Sequence, residues 1–157
     1  MALWKKERAM NRDKTIGFIG VGYMGHGMAK NLLEAGYPMW IRGNRNRTPV
    51  DSLISKGASE ADSPRDMAQK CDIIHICLST TADPKSTAAL AQELAEKGAT
   101  LVDAPLGRTP KEAEAGTLDA MVGCDDETFA AIKPVIECWA GNITHVGPTG
   151  SGHKMKL

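Results

Sequence analysis

The feature that most constrains this chain is a short apolar run, residues 15–19 (TIGFI), that ends in Gly20-Val21-Gly22-Tyr23-Met24-Gly25 and passes directly into an amphipathic segment. The run reads as a buried strand feeding a tight turn. Beyond it Met28, Ala29, Leu32 and Leu33 recur at helical spacing, and Gly36 stands where a left-handed helix stop belongs. Between strand and helix, each glycine of G-x-G-x-x-G has its own task. The first permits the turn, the second lets the backbone approach a pyrophosphate, and the third lets the helix pack on the strand. The helix amino terminus then offers free N–H groups and partial positive charge to phosphates. A glycine-rich turn without a ligand is the bland alternative.

The same alternation continues along the chain. Strands are expected over residues 37–41, 71–78, 99–102, 118–122 and 143–146. Helices are expected to start at Thr48-Pro49, Ser63-Pro64, Asp83-Pro84 and Thr109-Pro110, each a cap followed by a first-turn proline, and a further helix is expected over 126–139. Strands separated by helices of this length need crossover connections, so the fold class is α/β, a doubly wound, mainly parallel sheet. With 157 residues there is room for one such domain, residues 15–157, behind a charged, flexible extension over 1–14.

Composition removes several classes of function. Nineteen Lys plus Arg balance nineteen Asp plus Glu, so no nucleic-acid partner is expected, and no apolar stretch is long enough to cross a bilayer. Cys71, Cys77, Cys124 and Cys138 lie far apart without a C-x-x-C pair, which gives no metal site and points to a reducing cytoplasm, in keeping with the lack of a secretory leader.

The loop after the second strand reads Arg42-Gly43-Asn44-Arg45-Asn46-Arg47-Thr48. An acidic residue there would bond the ribose 2′-hydroxyl of NAD, whereas arginine accommodates the 2′-phosphate of NADP. This loop has three guanidiniums and no carboxylate, so NADP is expected, with NAD still open, and Arg45 and Arg47 are the expected contacts. A solvated basic loop is the alternative.

Three further segments join the glycine turn: LVDAPLGRT over 101–109, AEAGTLDAMVG over 113–123, and THVGPTGSGHKMK over 144–156. Together they resemble the β-hydroxyacid dehydrogenase family, which includes 3-hydroxyisobutyrate dehydrogenase, tartronate semialdehyde reductase and sulfolactaldehyde reductase. The likeness runs from about Thr15 to the end of the chain. It implies a Rossmann-like NAD(P)-binding domain that acts on a small anionic aldehyde or hydroxy acid, in a protein whose full-length relatives form homo-oligomers. Lys156, in the pattern Gly150-x-Gly152-x-x-x-Lys156, matches the family's catalytic lysine. Gly107, Arg108 and Thr109 stand where the family usually has a serine and two glycines that hold the substrate acid. This variant is similar to the sulfolactaldehyde reductase branch, in which the arginine meets an anionic group. The resemblance also places Gly20, Gly22, Tyr23, Met24, Gly25, Asn44, Thr48, Leu78, Ser79 and Thr81 beside the cofactor. By contrast His26, His75, His145 and His153 have no acidic partner at a recognisable spacing, and they read as solvated or core histidines.

Two family pieces are expected to be missing. After Leu78 the chain runs almost straight into Thr81-Ala82-Asp83-Pro84, where the family inserts a helix and a strand, on the order of 30 residues for one crossover unit. After Leu157 the family continues into a helical dimerisation domain. Without these pieces this chain alone is expected to be inactive in hydride transfer, and a non-catalytic dinucleotide-binding module is the alternative from another class. An S-adenosylmethionine methyltransferase, which can share a glycine-rich first turn, is a third; the arginine loop and the Lys156 segment argue against it.

Overall fold

A computed structural model describes residues 12–78 and 84–156. The first unit is β1 (Ile16–Ile19), the glycine turn and α1 (Tyr23–Glu34). It is followed by β2 (Met39–Arg42), α2 (Thr48–Ser55), β3 (Ser59–Glu60), α3 (Pro64–Lys70), β4 (Ile73–Ile76) and α4 (Pro84–Ala95). The second half holds β5 (Leu106–Gly107), α5 (Pro110–Ala115), β6 (Leu118–Gly123), α6 (Asp126–Ile136), β7 (Ala140–Gly147) and α7 (Ser151–Lys156).

The strands form two sheets. The first is wholly parallel in the order β3-β2-β1-β4, with β1 central, so the glycine turn leaves from the middle of the sheet between β2 and β4. The second runs β5-β6-β7, parallel between β6 and β7 across α6, and antiparallel between β5 and β6. One apolar cluster spans both: Phe18 and Ile41 of the first sheet share it with Leu118 and Val122 of the second and with Trp139. Burying side chains of this size stabilises each by roughly 1.5–3 kcal/mol, which is what holds the two sheets as one body.

Local chemistry explains the element starts and also corrects some of them. Ser63 caps α3 by accepting the Asp66 N–H at 3.0 Å. Thr109 caps α5 in a reciprocal capping box with Glu112. Thr48, expected as a cap, is instead the first residue of α2; Arg47 precedes it without a side-chain cap bond. Asp83, the expected cap of α4, lies outside the described residues. Helix α6 stops at Ile136 rather than running to 139, because the chain must turn to sink Trp139 into the core, where it is 2% exposed. The expected strand over 99–102 is not formed. A strand exists only where it pairs, and in this stretch Asp103 alone finds a bridge partner, Gly123.

Candidate functional site

The glycine turn has the geometry its spacing implies. Gly20 adopts a left-handed φ of +90°, and a Cβ there would strike the backbone carbonyl of Cys77 at the end of β4. A Cβ on Gly25 would strike the carbonyl of Gly20, so the third glycine lets α1 start against the turn. Gly22 is different: a Cβ there would meet nothing within 4 Å. It is the N-cap of α1 with no side-chain cap bond, and the first turn of the helix has no acidic residue. The unpaired N–H groups of a helix start therefore face open space above a residue with no side chain, a cradle that fits a dinucleotide pyrophosphate. Tyr23, 90% exposed, and Met24 flank it.

Neighbouring strand ends close around this turn. The Gly20 N–H donates to the Arg42 carbonyl at 3.3 Å, and the Cys77 N–H donates to the Ile19 carbonyl at 2.9 Å. Leu78, an expected cofactor neighbour, is 60% exposed and brings Cδ2 to 3.2 Å from the position of a Gly20 Cβ, so it lies against the turn. Ser79 and Thr81 lie outside the described residues.

The basic loop is only partly what the sequence implied. Arg45 and Asn44 are exposed, and Arg45 makes no hydrogen bond or ion pair among the described residues. Arg47 is committed elsewhere: its two Nη atoms donate to the Glu60 carboxylate at 2.8 and 2.7 Å, and Asp51 lies 3.7 Å away. Through that hydrogen bond Arg47 holds the Glu60 carboxyl below its ordinary range. Glu60 comes from β3, opposite Ile41 of β2. The carboxylate missing from the loop is thus delivered by the next strand, and Arg47, an expected phosphate contact, is ion-paired with it. Thr48 is held by its own N–H on Asn46 Oδ1 at 3.1 Å.

The second group of expected residues also converges. Lys156 Nζ donates to the Leu106 carbonyl at 2.5 Å, which places the ammonium beside Gly107 and Arg108. Arg108 Nε lies 3.0 Å from Asp119 Oδ2. Thr109, expected to touch substrate, spends its hydroxyl on the α5 cap, where it donates to Glu112 Oε2 at 2.5 Å. Helix α7, which carries Lys156, is hung on Asp103: the carboxylate, 1% exposed, accepts the Gly150 and His153 N–H groups at 2.6 and 2.8 Å. Helix α5, which follows Thr109, packs tightly on α1 at Gly27, where a Cβ would lie 2.5 Å from the Ala113 carbonyl carbon. The loop over 107–109 and helix α1 are therefore mechanically joined.

Three of the four histidines do have acidic neighbours, contrary to the sequence expectation. His26 Nδ1 lies 2.6 Å from Glu114 Oε1, His145 Nδ1 lies 3.5 Å from Asp126 Oδ1, and His153 Nδ1 lies 3.7 Å from Asp103 Oδ2. Burial opposes ionisation of Glu114, yet Lys30 and His26 outweigh it and hold the carboxyl low. The His26 and His153 partners are 88 and 50 residues away in sequence, beyond the reach of any local pattern. Asp119, Glu60 and Asp103 were likewise not assigned roles from the sequence, although Asp103 and Asp119 both lie in segments that carry the resemblance. Among the described residues no cluster of three or more His, Cys, Asp or Glu could hold a metal, and no helix is long and apolar enough to cross a membrane.

Comparison with known proteins follows the same outline. The family described as the NAD binding domain of 6-phosphogluconate dehydrogenase matches in two overlapping pieces, residues 15–82 and 76–147. The NAD-dependent L-serine dehydrogenase of Pseudomonas aeruginosa is 34% identical over 92% of this chain and 57% of its own length. The mitochondrial 3-hydroxyisobutyrate dehydrogenase of Bos taurus is 32% identical over 96% of this chain and 53% of its own. Among solved structures, Mycobacterium tuberculosis 3-hydroxyisobutyrate dehydrogenase with L-serine superposes at a TM-score of 0.83 and 27% identity, over 91% of this chain and 57% of that one. The chain thus spans little more than half the length of these relatives. The two pieces meet at the end of β4, where the sequence implied a missing crossover unit.

Proposed function

From a chain that belongs to the family of the NAD binding domain of 6-phosphogluconate dehydrogenase, we propose the cofactor-binding part of an NADP-linked oxidoreductase that moves a hydride between nicotinamide and a small 3-hydroxy acid or its semialdehyde. The observation that carries this reading is the open face of Gly22 at the uncapped start of α1, with the loop of Asn44 and Arg45 at the end of the adjacent strand. The relatives named above include dehydrogenases of 3-hydroxy acids, which supports the substrate class.

When bound, the nicotinamide supplies or accepts the hydride. The protein's own residues do the rest. The α1 N–H groups take the pyrophosphate, and Arg45 takes the 2′-phosphate, with Glu60 restraining Arg47 from doing so. The exposed Arg108 guanidinium, whose Nε lies 3.0 Å from Asp119 Oδ2, holds the acid group of the substrate. Lys156, released from the Leu106 carbonyl, gives a proton to the carbonyl oxygen during reduction and takes it back from the hydroxyl during oxidation. Placement in the cytoplasm and assembly of the longer protein into homo-oligomers belong to the same proposal.

A second reading, a dinucleotide-binding module without turnover, is favoured by one observation: Lys156 and Arg108, both exposed, are already bonded to protein partners. Two measurements on the purified chain separate the readings. A thermal melt raised more by NADPH than by NADH establishes the cofactor site. NADPH consumption with short anionic semialdehydes, lost in Lys156→Ala while the melt shift persists, establishes the oxidoreductase. A shift without consumption leaves the binding module, and no shift with either nucleotide refutes both.

A further inference from the structure

Three side chains from three helices form one hydrogen-bonded series outside the elements discussed so far. His26 of α1 brings Nε2 to 3.1 Å from Ser52 Oγ of α2, and its Nδ1 lies 2.6 Å from Glu114 Oε1 of α5. What lets α5 come so near is Gly27, next to His26, because the α5 backbone occupies the place of a Cβ there. Asn31, one turn on, fastens the approach by donating to the Ala113 carbonyl at 2.9 Å. Lys30 fastens Glu114 itself: Nζ donates to its carbonyl at 2.8 Å and lies 2.8 Å from Oε2. Helix α2 sinks Val50 and Leu53 into the core and keeps Ser52 half-buried.

The directions of these bonds follow from the carboxylate. Burial opposes ionisation of Glu114, but Lys30 and His26 hold its carboxyl low, so Oε1 only accepts. His26 Nδ1 is then the donor. In the neutral imidazole that leaves Nε2 as an acceptor, with the Ser52 hydroxyl donating to it. A hydroxyl that can give its proton to an imidazole, itself oriented by a third group, is the arrangement that makes serine a nucleophile. Neither cofactor binding nor hydride transfer uses any of the three residues. The His26 side chain is 22% exposed beside a half-buried Ser52, so a small reagent reaches the pair and a bulky one does not.

We propose that Ser52 is an acyl-accepting nucleophile with His26 as its general base and Glu114 as the residue that positions His26, and that the site takes small activated esters. As Ser52 Oγ bonds to the acyl carbon, its proton passes to His26 Nε2. The ester C–O bond then breaks, and the leaving oxygen takes that proton from Nε2. The acyl group ends on Ser52 and the alcohol departs. Glu114 holds the Nδ1–H throughout and stabilises the charge that the ring carries between the two transfers.

The test exposes the whole purified chain to p-nitrophenyl acetate, quenches in acid and reads acetylation by peptide mass. Ser55 is the internal reference. It is exposed on the same helix, and its hydroxyl donates to the Ser52 carbonyl rather than to an imidazole. Ser52 is expected to gain its acetyl about a hundredfold faster than Ser55, the contribution of one positioned base. In His26→Gln that advantage should vanish. Glu114→Gln keeps an acceptor for Nδ1 but removes the charge, and should slow Ser52 about tenfold, with Ser55 and the melting temperature unaltered. A merely structural Glu114 would leave the rate in that folded variant as it was. Acetylation of Ser52 no faster than of Ser55 overturns the proposal, and this comparison needs no variant, so it stands even if His26→Gln does not fold. An unchanged Ser52 rate in folded His26→Gln or Glu114→Gln overturns it as well.

Discussion

The buried Asp103 carboxylate accepts the backbone N–H of His153 at 2.8 Å, and through that bond and its partner from Gly150 the helix carrying Lys156 is fastened to the second sheet. Helix α7 has six residues, too few to persist on propensity alone, so this anchor decides whether Lys156 has a fixed position. Asp103→Asn keeps one acceptor and turns an NH₂ group against a backbone N–H, at a cost of about 1–3 kcal/mol. The expected result is a lower denaturation midpoint and faster hydrogen exchange across residues 150–156, with exchange in α1 unaltered. Uniform loss of protection instead would show that Asp103 supports the whole fold rather than this helix.

Two glycine substitutions should separate folding from binding. Gly20→Ala puts a Cβ into the Cys77 carbonyl at a positive φ and should lower the melting temperature without any ligand present. Gly22→Ala meets open space, so its ligand-free melt should match that of the native chain. The same methyl group occupies the approach to the helix start, so the NADPH-induced shift should shrink or vanish. A full shift in Gly22→Ala would remove the cradle from the argument.

Cofactor choice should depend on Glu60 although it lies outside the basic loop. Arg47 gives both Nη atoms to Glu60, while Arg45 has no such partner among the described residues. Arg45→Ala is therefore expected to weaken NADPH binding about tenfold with little effect on NADH, the scale of a lost charge-assisted hydrogen bond. Glu60→Gln releases Arg47 and should tighten NADPH binding relative to NADH. Calorimetric titration of both nucleotides reads the ratio, and a Glu60→Gln ratio equal to the native one counts against the restraint.

His75 gives the chain a pH dependence of known sign. It stacks on Phe18 at 5.2 Å and meets the Trp139 ring edge-on at 6.1 Å, and its Nδ1 is buried without a partner. Burial pushes its pKa down to about 4, from 6.5 in the unfolded chain. Between those values the unfolded state binds a proton that the native state refuses, so stability falls as pH drops from 6.5 to about 4. The full effect is worth up to about 3 kcal/mol. His75→Val should flatten the denaturation midpoint across this window; an equal slope in the variant would assign the dependence to other groups.

Particular residues show how far the sequence could be read. The glycine turn was legible because its chemistry is local: φ of Gly20, the contact of Gly25 with Gly20 and the exposure of Gly22 all lie within six residues of each other. The Thr109 cap was legible for the same reason, since Glu112 stands three residues on. The Arg47–Glu60 pair was not legible because Glu60 becomes a neighbour only when β3 pairs with β2. His26 was misread because Glu114 arrives on α5, 88 residues away. Residues 99–102 carry a strand-like apolar pattern, but pattern expresses a preference for pairing and does not supply the partner.

What the sequence determined by itself, then, is the main strand–helix alternation and several of the local devices that begin and end it, such as the glycine turn and the Ser63 and Thr109 caps, because caps, turns and apolar periods are interactions over a few residues. It also supplied the residues to which chemistry is proposed: the glycines of the turn, Arg45, Arg108 and Lys156. The tertiary structure decided which of them are free to do it. Glu60 pairs with Arg47, Asp119 pairs with Arg108, and Asp103 fixes the helix that carries Lys156. Each of those carboxylates acts through a contact of 3.0 Å or less made by a strand or bridge pairing. Charge acts over ångströms in space, and the chain brings these groups that close only by folding.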